Sequence, residues 1–583
     1  MSTWKTFPIS PAHEAEIQRF ATEIAASQAG AIEADDFRRF RLENGVYGIR
    51  GTTDTFMVRV KIPLGALTAD QLEAMADLAE QFTPLRIAHV TTRQNLQFHN
   101  VPLTQLPAVL RLIASAGLTT REACGNTVRT VTACPFAGVA ADEAFDVTPY
   151  AIATTAYFLR NPICQNMPRK FKIAFEGCPA DHIRLGIHDF GAQAVVQNGQ
   201  RGFRVVVGGG LGSLPLSAQL LEEFTPEELL LPTIEAVVRL FDRHGNRKDR
   251  ARARIKFIIK DWGIEEFSKQ ALAERQSILI TRSGASDWTI PASTETAPSR
   301  PATSPLPAPS SAAYQRWLLT NCSSQKQNGF KAVHVRCPLG DISVAQMRGI
   351  AGIAHRYGGG HIRASIRQNL VLRWIPATHL PNVFADLASI GLAAAEAEHI
   401  ADITRCPGAD TCQLAITHSR GLAVALDELF TNGLTSDPAL QDLNIKISGC
   451  PNACGQHHIA DIGFFGSSRT IDGHQVAHYR MMLGGKTEAG RAEFAMPVAT
   501  LPAKRISEAL RKLLTQYRDT RGAEESFYDY IRRFGTAHLK QMLDEFTTLP
   551  AYSERPDLYG DLGHEGEFKV QISRPVVPSV KPK

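Results

Sequence analysis

The sequence of 583 residues has no long apolar run, and no stretch approaches the roughly 18 consecutive apolar residues of a membrane-spanning helix. It also lacks, near its first residue, the basic-then-apolar pattern that is typical of an export signal. These two absences exclude a membrane protein of the helical class. They lead us to expect a cytoplasmic protein with no membrane partner.

Charge of one sign is also scarce. The formal net charge is +5, from 63 Lys and Arg against 58 Asp and Glu. Over a chain of this length such an excess does not indicate a nucleic-acid partner, although a local basic face could still attract an acidic protein. With 44% hydrophobic and 21% charged residues, the composition is typical of a globular enzyme with several domains.

Nucleotide-binding fingerprints are missing as well. The glycine-rich stretch 205–213 reads VVVGGGLGS, which lacks the G-x-G-x-x-G spacing and has no acidic residue at the expected distance as part of a β-α-β unit. The sequence contains no Walker loop and no recognisable flavin domain. We therefore interpret the glycines as a site of close backbone packing rather than a dinucleotide site.

Ten cysteines are present, and four of them form two short motifs. The first, TRCPGADTCQLA, contains Cys406 and Cys412, and the second, ISGCPNACGQHH, contains Cys450 and Cys454. Each motif starts with a Cys-Pro step and carries small residues, so its thiolates can project from a tight turn. Four such thiolates suit either a [4Fe–4S] cluster or a zinc ion.

The spacing of these motifs separates the alternatives. Zinc ligands are usually two to four residues apart, whereas Cys406 and Cys412 enclose a wider gap, and the spacer between the motifs is long enough for a helix and a strand. Both features favour a cluster. Unrelated buried cysteines or disulfides are the remaining alternative, which the matching Cys-Pro contexts and the expected reducing compartment disfavour.

An internal repeat runs through the chain. Residues 57–98 and 333–372 share a strand, a Pro-Leu-Gly turn, an amphipathic helix and a strand near Arg-Gln-Asn-Leu, with Thr68 and Ser343 as the expected N-caps. The likeness continues in ACPFAG around Cys134 and RCPGAD around Cys406, and in GCPADH and GCPNAC further on. The sequence therefore predicts a duplicated α/β unit with pseudo-twofold symmetry, of which only the second copy keeps four thiolates.

The other six cysteines lie outside the two motifs. Cys134 and Cys178 occupy positions equivalent to cluster ligands but have no cysteine partners, so we interpret them as relics of the duplication. Buried, small hydrophobic positions are expected for the rest, which are Cys124, Cys164, Cys322 and Cys337.

The first copy carries basic residues beside its Cys-Pro steps. Arg129 precedes Cys134, and Lys170 and Lys172 precede Cys178, while Arg59 lies in the earlier FMVRVKIP stretch. Two lysines that are two positions apart on a strand share a face and could converge on one anion. The alternative is an ordinary solvated strand face.

The C-x5-C and C-x3-C motifs, with GCPNACGQH as the second, resemble those of the sirohaem- and iron–sulfur-containing enzymes that reduce sulfite or nitrite. The resemblance extends over roughly residues 40 to 520, and the assimilatory sulfite reductase haemoproteins (the beta component) are the most similar group. It implies an α/β (α+β) fold with two ferredoxin-like half-domains and two sirohaem/cluster-binding α/β domains. It also implies that Cys406, Cys412, Cys450 and Cys454 hold one cubane, and that Cys454 bridges it to the sirohaem iron.

From the repeat and this resemblance we expect seven segments. They are an N-terminal arm (1–50), a first ferredoxin-like half-domain (51–118), a first substrate- and sirohaem-binding domain (119–285), a linker with six prolines within 291–312 (286–312), a second half-domain (313–398), a cluster- and sirohaem-binding domain (399–520) and a C-terminal tail (521–583). The linker composition predicts an extended, mobile tether, and the tail is expected to wrap the surface.

The resemblance also assigns site residues. Arg59, Arg129, Lys170 and Lys172 are implied to face the distal side of the sirohaem, where they would hold the anion and help to deliver protons. The carboxylates of sirohaem call for basic and amide donors, and the candidates are Arg93, Gln97, His99, Asn126 and Asn452. Arg93, Gln97 and His99 have the same parity on an expected strand, although His99 could equally be a core histidine. Arg367 and Gln368 repeat this motif in the second copy, with Arg363 as a weaker candidate.

The implied function is the six-electron reduction of sulfite to sulfide in assimilatory sulfur metabolism. Lys172 favours sulfite, because family members specialised for nitrite tend to carry Asn there. The alternatives are a ferredoxin-dependent nitrite reductase, a relative from corrin-ring biosynthesis and a non-catalytic iron–sulfur electron carrier. Since no flavin or nicotinamide site is present, the expected partner is a separate donor, either a ferredoxin or an NADPH-dependent flavoprotein subunit.

Overall fold

A computed structural model of the chain describes residues 4–282, 289–292, 295–430 and 437–570. The chain divides into two units by its internal contacts. The first unit contains Met1–Tyr47, Asp54–Glu398 and Thr487–Glu493, and the second contains Gly48–Thr53, His399–Lys486 and Phe494–Lys583. The division into seven segments stays a prediction.

The described chain contains both strands and helices, and runs of several strands separate some of the helices. The strands are β1 (Val46–Gly48), β2 (Thr55–Val60), β3 (Ala66–Thr68), β4 (Ile87–Val90), β5 (Leu96–Pro102), β6 (Thr132–Ala133), β7 (Ile173–Glu176), β8 (Phe190–Gln197), β9 (Gln200–Val207), β10 (Gln219–Pro226), β11 (Cys322–Ser324), β12 (Phe330–Val335), β13 (Asp341–Ser343), β14 (His361–Ala364), β15 (Leu370–Pro376), β16 (Thr404–Arg405), β17 (Ile445–Ser448), β18 (Ile462–Ile471), β19 (His474–Leu483), β20 (Lys486–Glu488), β21 (Arg491–Glu493) and β22 (Met496–Pro502). The α-helices are α1 (Pro11–Gln28), α2 (Ala34–Glu43), α3 (Ala69–Phe82), α4 (Leu106–Ser115), α5 (Thr148–Phe158), α6 (Leu230–His244), α7 (Ile255–Trp262), α8 (Ile264–Thr281), α9 (Ala312–Asn321), α10 (Val344–Tyr357), α11 (Leu380–Ser389), α12 (Ser419–Leu429), α13 (Ile506–Thr520) and α14 (Phe527–Leu543).

Two five-stranded sheets in the first unit contain the internal repeat. Their strand orders are β1-β2-β5-β4-β13 and β11-β12-β15-β14-β3, so each half gives one short strand to the sheet of the other. Ile342 of β13 lies opposite Ala88, and Leu67 of β3 lies opposite Ile362. This reciprocal exchange has the form of a twofold duplication and fastens the two half-domains together.

The helices that follow the exchanged strands start as the sequence predicts. Thr68 caps α3 and Ser343 caps α10, and each makes a capping box with the glutamine three residues later, Gln71 or Gln346. The apolar faces of both helices are buried in one hydrophobic core, which includes Leu72, Met75, Met347 and Ile350. The two N-cap predictions are therefore confirmed.

The two α/β sheets repeat a second pattern. In the first unit the order is β10-β9-β8-β7-β6, and in the second it is β16-β17-β18-β19-β22. In each sheet the first three strands along the chain are parallel and the remaining two are antiparallel. Because parallel strands end at the same sheet edge, the loops after the first two strands are neighbours, and these loops carry the Cys-Pro steps.

The described part of the proline-rich linker is anchored. Glu295 is buried between Arg363 and Arg373, with its Oε2 3.0 Å from Arg373 Nη2, and the Trp374 indole also faces it. These charges lower the pKa of Glu295 although its burial alone would raise it. The expectation of a free tether is therefore wrong at this point, since a carboxylate outside any periodic pattern fixes it to the second half-domain.

The described part of the C-terminal segment packs within the second unit. Phe527, Tyr530 and Ile531 of α14 are buried, and the Asp561 carboxylate accepts a 2.7 Å hydrogen bond from the His418 backbone N–H. Residues 571–583, the end of the predicted C-terminal tail, lie outside the described residues. Among the described residues, no helix combines the length and the apolar character that crossing a bilayer requires.

A buried ion pair in the first unit is expected to contribute to its stability. Lys61 Nζ lies 3.4 Å from Glu122 Oε2, and both side chains are almost fully buried. The other carboxylate oxygen of Glu122 accepts from Arg160 N and Gln165 Nε2, each at 2.8 Å. Replacing Lys61 with Met is expected to destabilise the first unit by about 3 kcal/mol, because the Glu122 carboxylate is left buried without its cation.

Differential scanning calorimetry measures this loss. The matched control is Lys512→Met, which breaks the exposed pair of Lys512 with Glu545 and should cost at most about 1 kcal/mol. Equal losses of unfolding free energy in the two variants would contradict a stabilising role of the buried Lys61–Glu122 pair.

Candidate functional site

The four cysteines of the two motifs lie on loops at one edge of the second-unit sheet. Cys406 directly follows β16, and its N–H donates to the Ile447 carbonyl oxygen at 3.1 Å, which continues the strand pairing. Cys450 follows the end of β17 by two residues, and Cys454 lies in the next turn. Three of the thiols therefore lie in the turns directly after two adjacent parallel strands, and Cys412 lies further along the loop after β16.

Two glycines allow these loops to pack closely. A Cβ on Gly449 would lie 2.6 Å from the Thr417 carbonyl oxygen, and Gly408 has a positive φ of 66°. The Gly449 oxygen accepts from Ile416 N at 2.7 Å, and the Gly449 N–H donates to Cys406 Sγ at 3.2 Å. The backbone therefore offers a hydrogen bond to sulfur, a contact that tunes cluster potentials in iron–sulfur proteins.

The thiols influence one another electrostatically. Burial first, and then the negative charge of Cys454, raises the pKa values of Cys406, Cys412 and Cys450, that of Cys412 to about 11. Cys454 is exposed, whereas Cys406 and Cys450 are buried. Such a group releases its protons only when a cation compensates the charge, so its chemistry fits an iron–sulfur cluster. The open position of Cys454 fits a thiolate with a further contact.

Arg50 is a residue of this site that sequence analysis missed. Its Nε donates to the Cys412 carbonyl oxygen at 3.2 Å and its Nη2 donates to that of Ala415, while its N–H donates to the Thr411 oxygen at 3.0 Å. Burial lowers the pKa of Arg50, and the neighbouring Cys412, Asp410 and Cys450 raise it. No motif indicates this role, because more than 350 residues separate Arg50 from the loop that it holds.

We expect Arg50→Met to lower the midpoint reduction potential of the cluster by some tens of mV. Removing a nearby positive charge disfavours the added electron. A potentiometric titration followed by electron paramagnetic resonance measures the shift. Arg50→Lys keeps the charge and should keep the potential, although it loses the forked contact with the two carbonyls. A shift of the same size in both variants would show that loop geometry, not charge, controls the potential.

A group of basic residues lies in the first unit. The Arg59 guanidinium donates to Gln97 Oε1 through Nε at 3.1 Å and Nη2 at 2.8 Å, and its Nη1 donates to Tyr47 Oη at 3.1 Å. Arg129 Nη1 donates to the Ala123 carbonyl oxygen at 3.1 Å, and Arg59 Nη1 reaches the same oxygen at 3.4 Å. The structure therefore brings two of the predicted cations to one carbonyl oxygen.

Arg93 joins this group. Its Nη1 lies 3.1 Å from His188 Nε2, and its Nη2 donates to the Thr130 carbonyl oxygen at 2.6 Å. Burial, followed by the charge of Arg129, lowers the pKa of Arg93 to about 9, and burial followed by Arg93 lowers that of His188 well below its usual range. Positive charge is thus concentrated here beyond what the neighbouring carboxylates neutralise.

This group fits an anionic cofactor. Arg93 Nε and Thr130 Oγ1 of this group are among the buried polar atoms of the described residues that have no hydrogen-bond partner. Buried donors are rarely left unsatisfied, and the carboxylates of a tetrapyrrole would satisfy them. The donor chemistry of the first unit is consistent with sirohaem.

Lys170 and Lys172 flank Phe171, which forms a parallel bridge with Val128. They lie in the segment before β7 rather than within a strand, so the prediction that they lie on a strand is wrong. The two lysines are still two positions apart, on either side of a residue that pairs like one in a strand. Burial, and then the charges of Arg93 and Lys170, lowers the pKa of Lys172 well below its usual range. Lys172 is therefore a base at lower pH than an ordinary lysine.

An ion pair that the sequence did not indicate supports this segment. Asp189 accepts from Lys172 N at 2.8 Å and receives a forked contact from Arg254, with Nε–Oδ1 at 2.9 Å and Nη2–Oδ2 at 2.7 Å.

Lys256 Nζ donates to the Gly210 carbonyl oxygen at 3.2 Å. A Cβ on Gly209 would lie 2.5 Å from the Gly186 carbonyl oxygen, so the predicted close backbone packing of the glycine-rich stretch is present.

The remaining candidates are placed differently. Arg93 lies in the turn before β5, so it does not share a strand with Gln97 and His99, whose Nε2 atoms are 3.4 Å apart. Asn126 is partly buried, and its carbonyl oxygen accepts from Met167 N. Asn452 is exposed beside Cys454. Their proposed contacts with sirohaem stay predictions.

The second-copy residues have structural contacts. Gln368 Nε2 donates to the Val90 carbonyl oxygen at 2.8 Å, Arg367 donates to that of Glu398, and Arg363 pairs with Glu295. These contacts connect the half-domains and the linker, so each of the three side chains has a structural partner.

Cys134 and Cys178 are not isolated. Their Sγ atoms are 4.0 Å apart, and Cys134 Sγ lies 3.5 Å from His182 Nδ1. The two thiols therefore lie beside each other, and the interpretation of them as relics of the duplication stays a prediction. It missed His182, which stands four residues after Cys178 just as Cys454 follows Cys450. Of the other four, Cys124, Cys164 and Cys337 are buried as expected, and Cys322 is only partly buried.

Comparisons with known proteins agree with this organisation. A family model described as the nitrite and sulphite reductase 4Fe-4S domain matches residues 124–278 and 396–548, and one described as the nitrite/sulfite reductase ferredoxin-like half domain matches residues 49–116 and 323–390. Each model matches twice, so the predicted fold class and its duplication are confirmed.

Individual relatives carry two kinds of name. The chain is 30% identical over 437 residues to a sulfite reductase [ferredoxin] of Mycobacterium tuberculosis. The aligned region covers 74% of this chain and 73% of that protein. The chain is 29% identical over 480 residues to a ferredoxin–nitrite reductase of Synechococcus elongatus, covering 81% and 88%. Among solved structures, the Mycobacterium tuberculosis NirA protein is similar with a TM-score of 0.73 and 25% identity, covering 91% of this chain and 98% of that one.

Proposed function

Because the chain belongs to the nitrite and sulfite reductase family, we propose that it reduces sulfite to sulfide in assimilatory sulfur metabolism. It is an oxidoreductase with the cofactors of that family, sirohaem and a [4Fe–4S] cluster. The alternative of a non-catalytic electron carrier does not fit this membership. When bound, the two cofactors would pass electrons from a donor protein, one at a time, to the anion.

The second unit would hold the cluster. Cys406, Cys412, Cys450 and Cys454 are the proposed ligands, since their loops meet at one sheet edge and their charges are coupled. The exposed Cys454 would also contact the sirohaem iron, and Asn452 beside it would face the macrocycle. The Gly449 N–H and the Arg50 guanidinium would stabilise negative charge on this group.

The first unit would bind the anions. Arg93, Gln97, His99 and Asn126 are the proposed partners of the sirohaem carboxylates, and the unsatisfied Arg93 Nε supports this role. Arg59 and Arg129 would hold the oxygens of sulfite, because guanidinium groups keep their charge and offer several donors. Both guanidinium groups are fixed by carbonyl or amide oxygens before any substrate arrives, which is the preorganisation that electrostatic catalysis needs.

Lys170 and Lys172 would supply protons. Each sulfite oxygen leaves as water, so protons must reach it as electrons arrive. A lysine with a lowered pKa gives up its proton more readily than an ordinary lysine, and burial and cationic neighbours lower the pKa of Lys172 well below its usual range.

The observation that carries the choice of sulfite is Lys172 itself. When protonated it adds a further cation to Arg59, Arg129 and Lys170, and a dianion gains more from that cation than a monoanion does. Nitrite is the second candidate, since the Synechococcus elongatus relative is named for it. We further propose ferredoxin as the electron donor in preference to a flavoprotein subunit, because both relatives are named for ferredoxin.

Steady-state kinetics test the proposal. The purified enzyme is supplied with enzymatically reduced ferredoxin, and kcat/KM is measured for sulfite and for nitrite under the same conditions. The proposal expects a higher kcat/KM for sulfite. A higher value for nitrite would reverse the substrate assignment, and absence of turnover with ferredoxin would reject the donor.

A further inference from the structure

A cluster of metal-binding side chains lies in the first unit, apart from the cysteines of the second. It consists of Cys134, Glu176, Cys178 and His182, and one donor atom from each lies within 4.8 Å of all the others. Cys134, Glu176 and Cys178 are buried, and the His182 side chain is 31% exposed. None of these four residues takes part in the proposed reduction.

The separations match those of a tetrahedral metal site. With zinc–sulfur bonds of about 2.3 Å and zinc–nitrogen bonds of about 2.05 Å, the sulfur–sulfur edge of a tetrahedron is about 3.8 Å and the sulfur–nitrogen edge is about 3.6 Å. The Cys134 and Cys178 Sγ atoms are 4.0 Å apart, and Cys134 Sγ is 3.5 Å from His182 Nδ1. The donors are therefore already spaced for one small ion, with adjustments of a few tenths of an ångström.

The duplication explains how these residues came together. The Cys134 N–H donates to the Phe175 oxygen at 3.0 Å, as the Cys406 N–H donates to the Ile447 oxygen at 3.1 Å. The equivalent positions of the first and second copies are Cys134 and Cys406, Cys178 and Cys450, His182 and Cys454, Ala140 and Cys412, and Glu176 and Ser448. Three of the four cluster positions therefore keep a metal-binding side chain. At the one position that keeps no ligand, Ala140, the lost side chain is offset by the carboxylate of Glu176.

Glu176 is held in place for this role. Its Oε1 accepts from the N–H groups of Gly177 at 2.9 Å and Cys178 at 3.0 Å, and its Oε2 accepts from Ile183 N at 3.1 Å. A carboxylate has about four lone-pair positions, so one is left. A charged carboxylate with no exposed surface requires a compensating cation. The nearest ligand atom of His182, Nδ1, lies 3.8 Å from Glu176 Oε1.

We propose that the first unit binds a single zinc ion through Cys134, Cys178 and His182, with Glu176 as the fourth ligand. Two sulfurs, one imidazole and one carboxylate form a donor set that suits Zn²⁺ and disfavours Mg²⁺ or Ca²⁺. Two thiolates are too few for a cubane of the type proposed in the second unit. The ion has a structural role, in which it joins the loop after β6 to the loop after β7. The Phe136 ring, 5.2 Å from the His182 ring, covers the site.

The first experiment measures metal in the holoenzyme. Inductively coupled plasma mass spectrometry of protein purified anaerobically from zinc-supplemented cells should give about one zinc per chain in addition to iron. X-ray absorption at the zinc edge, which iron does not obscure, should show two sulfur neighbours at about 2.3 Å and two nitrogen or oxygen neighbours at about 2.0 Å. Substoichiometric zinc, or a Cys134–Cys178 disulfide found by mass spectrometry, would overturn the proposal.

The second experiment uses variants. Cys134→Ser/Cys178→Ser, and separately His182→Gln, should lose most of the zinc and keep the iron and acid-labile sulfide of the second unit. The matched control is Cys164→Ser, which alters another buried cysteine of the same unit and should keep both metals. Zinc retained in both site variants would show that it binds elsewhere. Because the readout is metal content, the result is independent of whether sulfite or nitrite is the substrate.

Discussion

Replacing Cys450 with serine is expected to abolish the iron–sulfur cluster and with it the reduction of either anion. Cys450 is buried at the end of β17, where a hydroxyl is a poor substitute for a soft thiolate as an iron ligand. The remaining thiols, whose pKa values burial already raises, would be left near a vacant ligand position. We expect acid-labile sulfide to fall to near zero and turnover to fall by about 100-fold or more.

The measurements are iron and sulfide content, the visible spectrum, and turnover with reduced ferredoxin. Cys322→Ser is the control, since Cys322 is a partly buried thiol in β11, outside the proposed ligands. Its variant should keep full cluster content. A Cys450→Ser protein with unchanged sulfide content would remove the second-unit cysteines from the cluster assignment.

The parts of the fold that the sequence predicts well are those fixed by neighbouring residues. The N-caps of α3 and α10 depend on a side chain three residues from its partner, Thr68 with Gln71 and Ser343 with Gln346. The two cysteine motifs likewise depend on short spacings and Cys-Pro steps. Such signals act within one turn of chain, so they can be interpreted without knowledge of the tertiary structure.

The sequence predictions are wrong where the backbone leaves its regular conformation, and incomplete where a contact joins residues that are far apart in the chain. Parity predicts that Arg93 lies on a strand, but Gln94 has a positive φ of 57° and its N–H donates to the Thr91 carbonyl oxygen at 3.0 Å. This turn ends the alternation before β5 begins. A non-glycine residue in the left-handed region leaves no periodic signal in the sequence.

Distant contacts account for the residues that sequence analysis missed. Arg50 meets the loop of Cys412, and Arg254 meets Asp189 across 65 positions. The exchange of β3 and β13 between the half-domains joins three-residue strands that have no separate signature. In each case the interaction exists only after the sheets have assembled, so local patterns could not reveal it.

Replacing Lys172 with asparagine is expected to lower kcat/KM for sulfite by about 10-fold or more and to change that for nitrite by less than about threefold. The variant removes one positive charge from a group that also contains Arg93 and Lys170. The attraction of a dianion falls more than that of a monoanion when a charge is removed. Equal losses for the two anions would eliminate Lys172 as a basis for substrate choice.

Lys172→Arg separates charge from proton supply. Arginine keeps its proton throughout the accessible pH range, so this variant should retain the KM for sulfite but lose kcat by about 10-fold. The pKa of Lys172 is lowered, so the wild-type side chain loses its charge as pH rises through that value, and its KM for sulfite should increase. In Lys172→Arg that dependence should disappear. An unchanged kcat in the arginine variant would show that Lys172 contributes charge alone, and would leave Lys170 as the remaining lysine of the proposed proton supply.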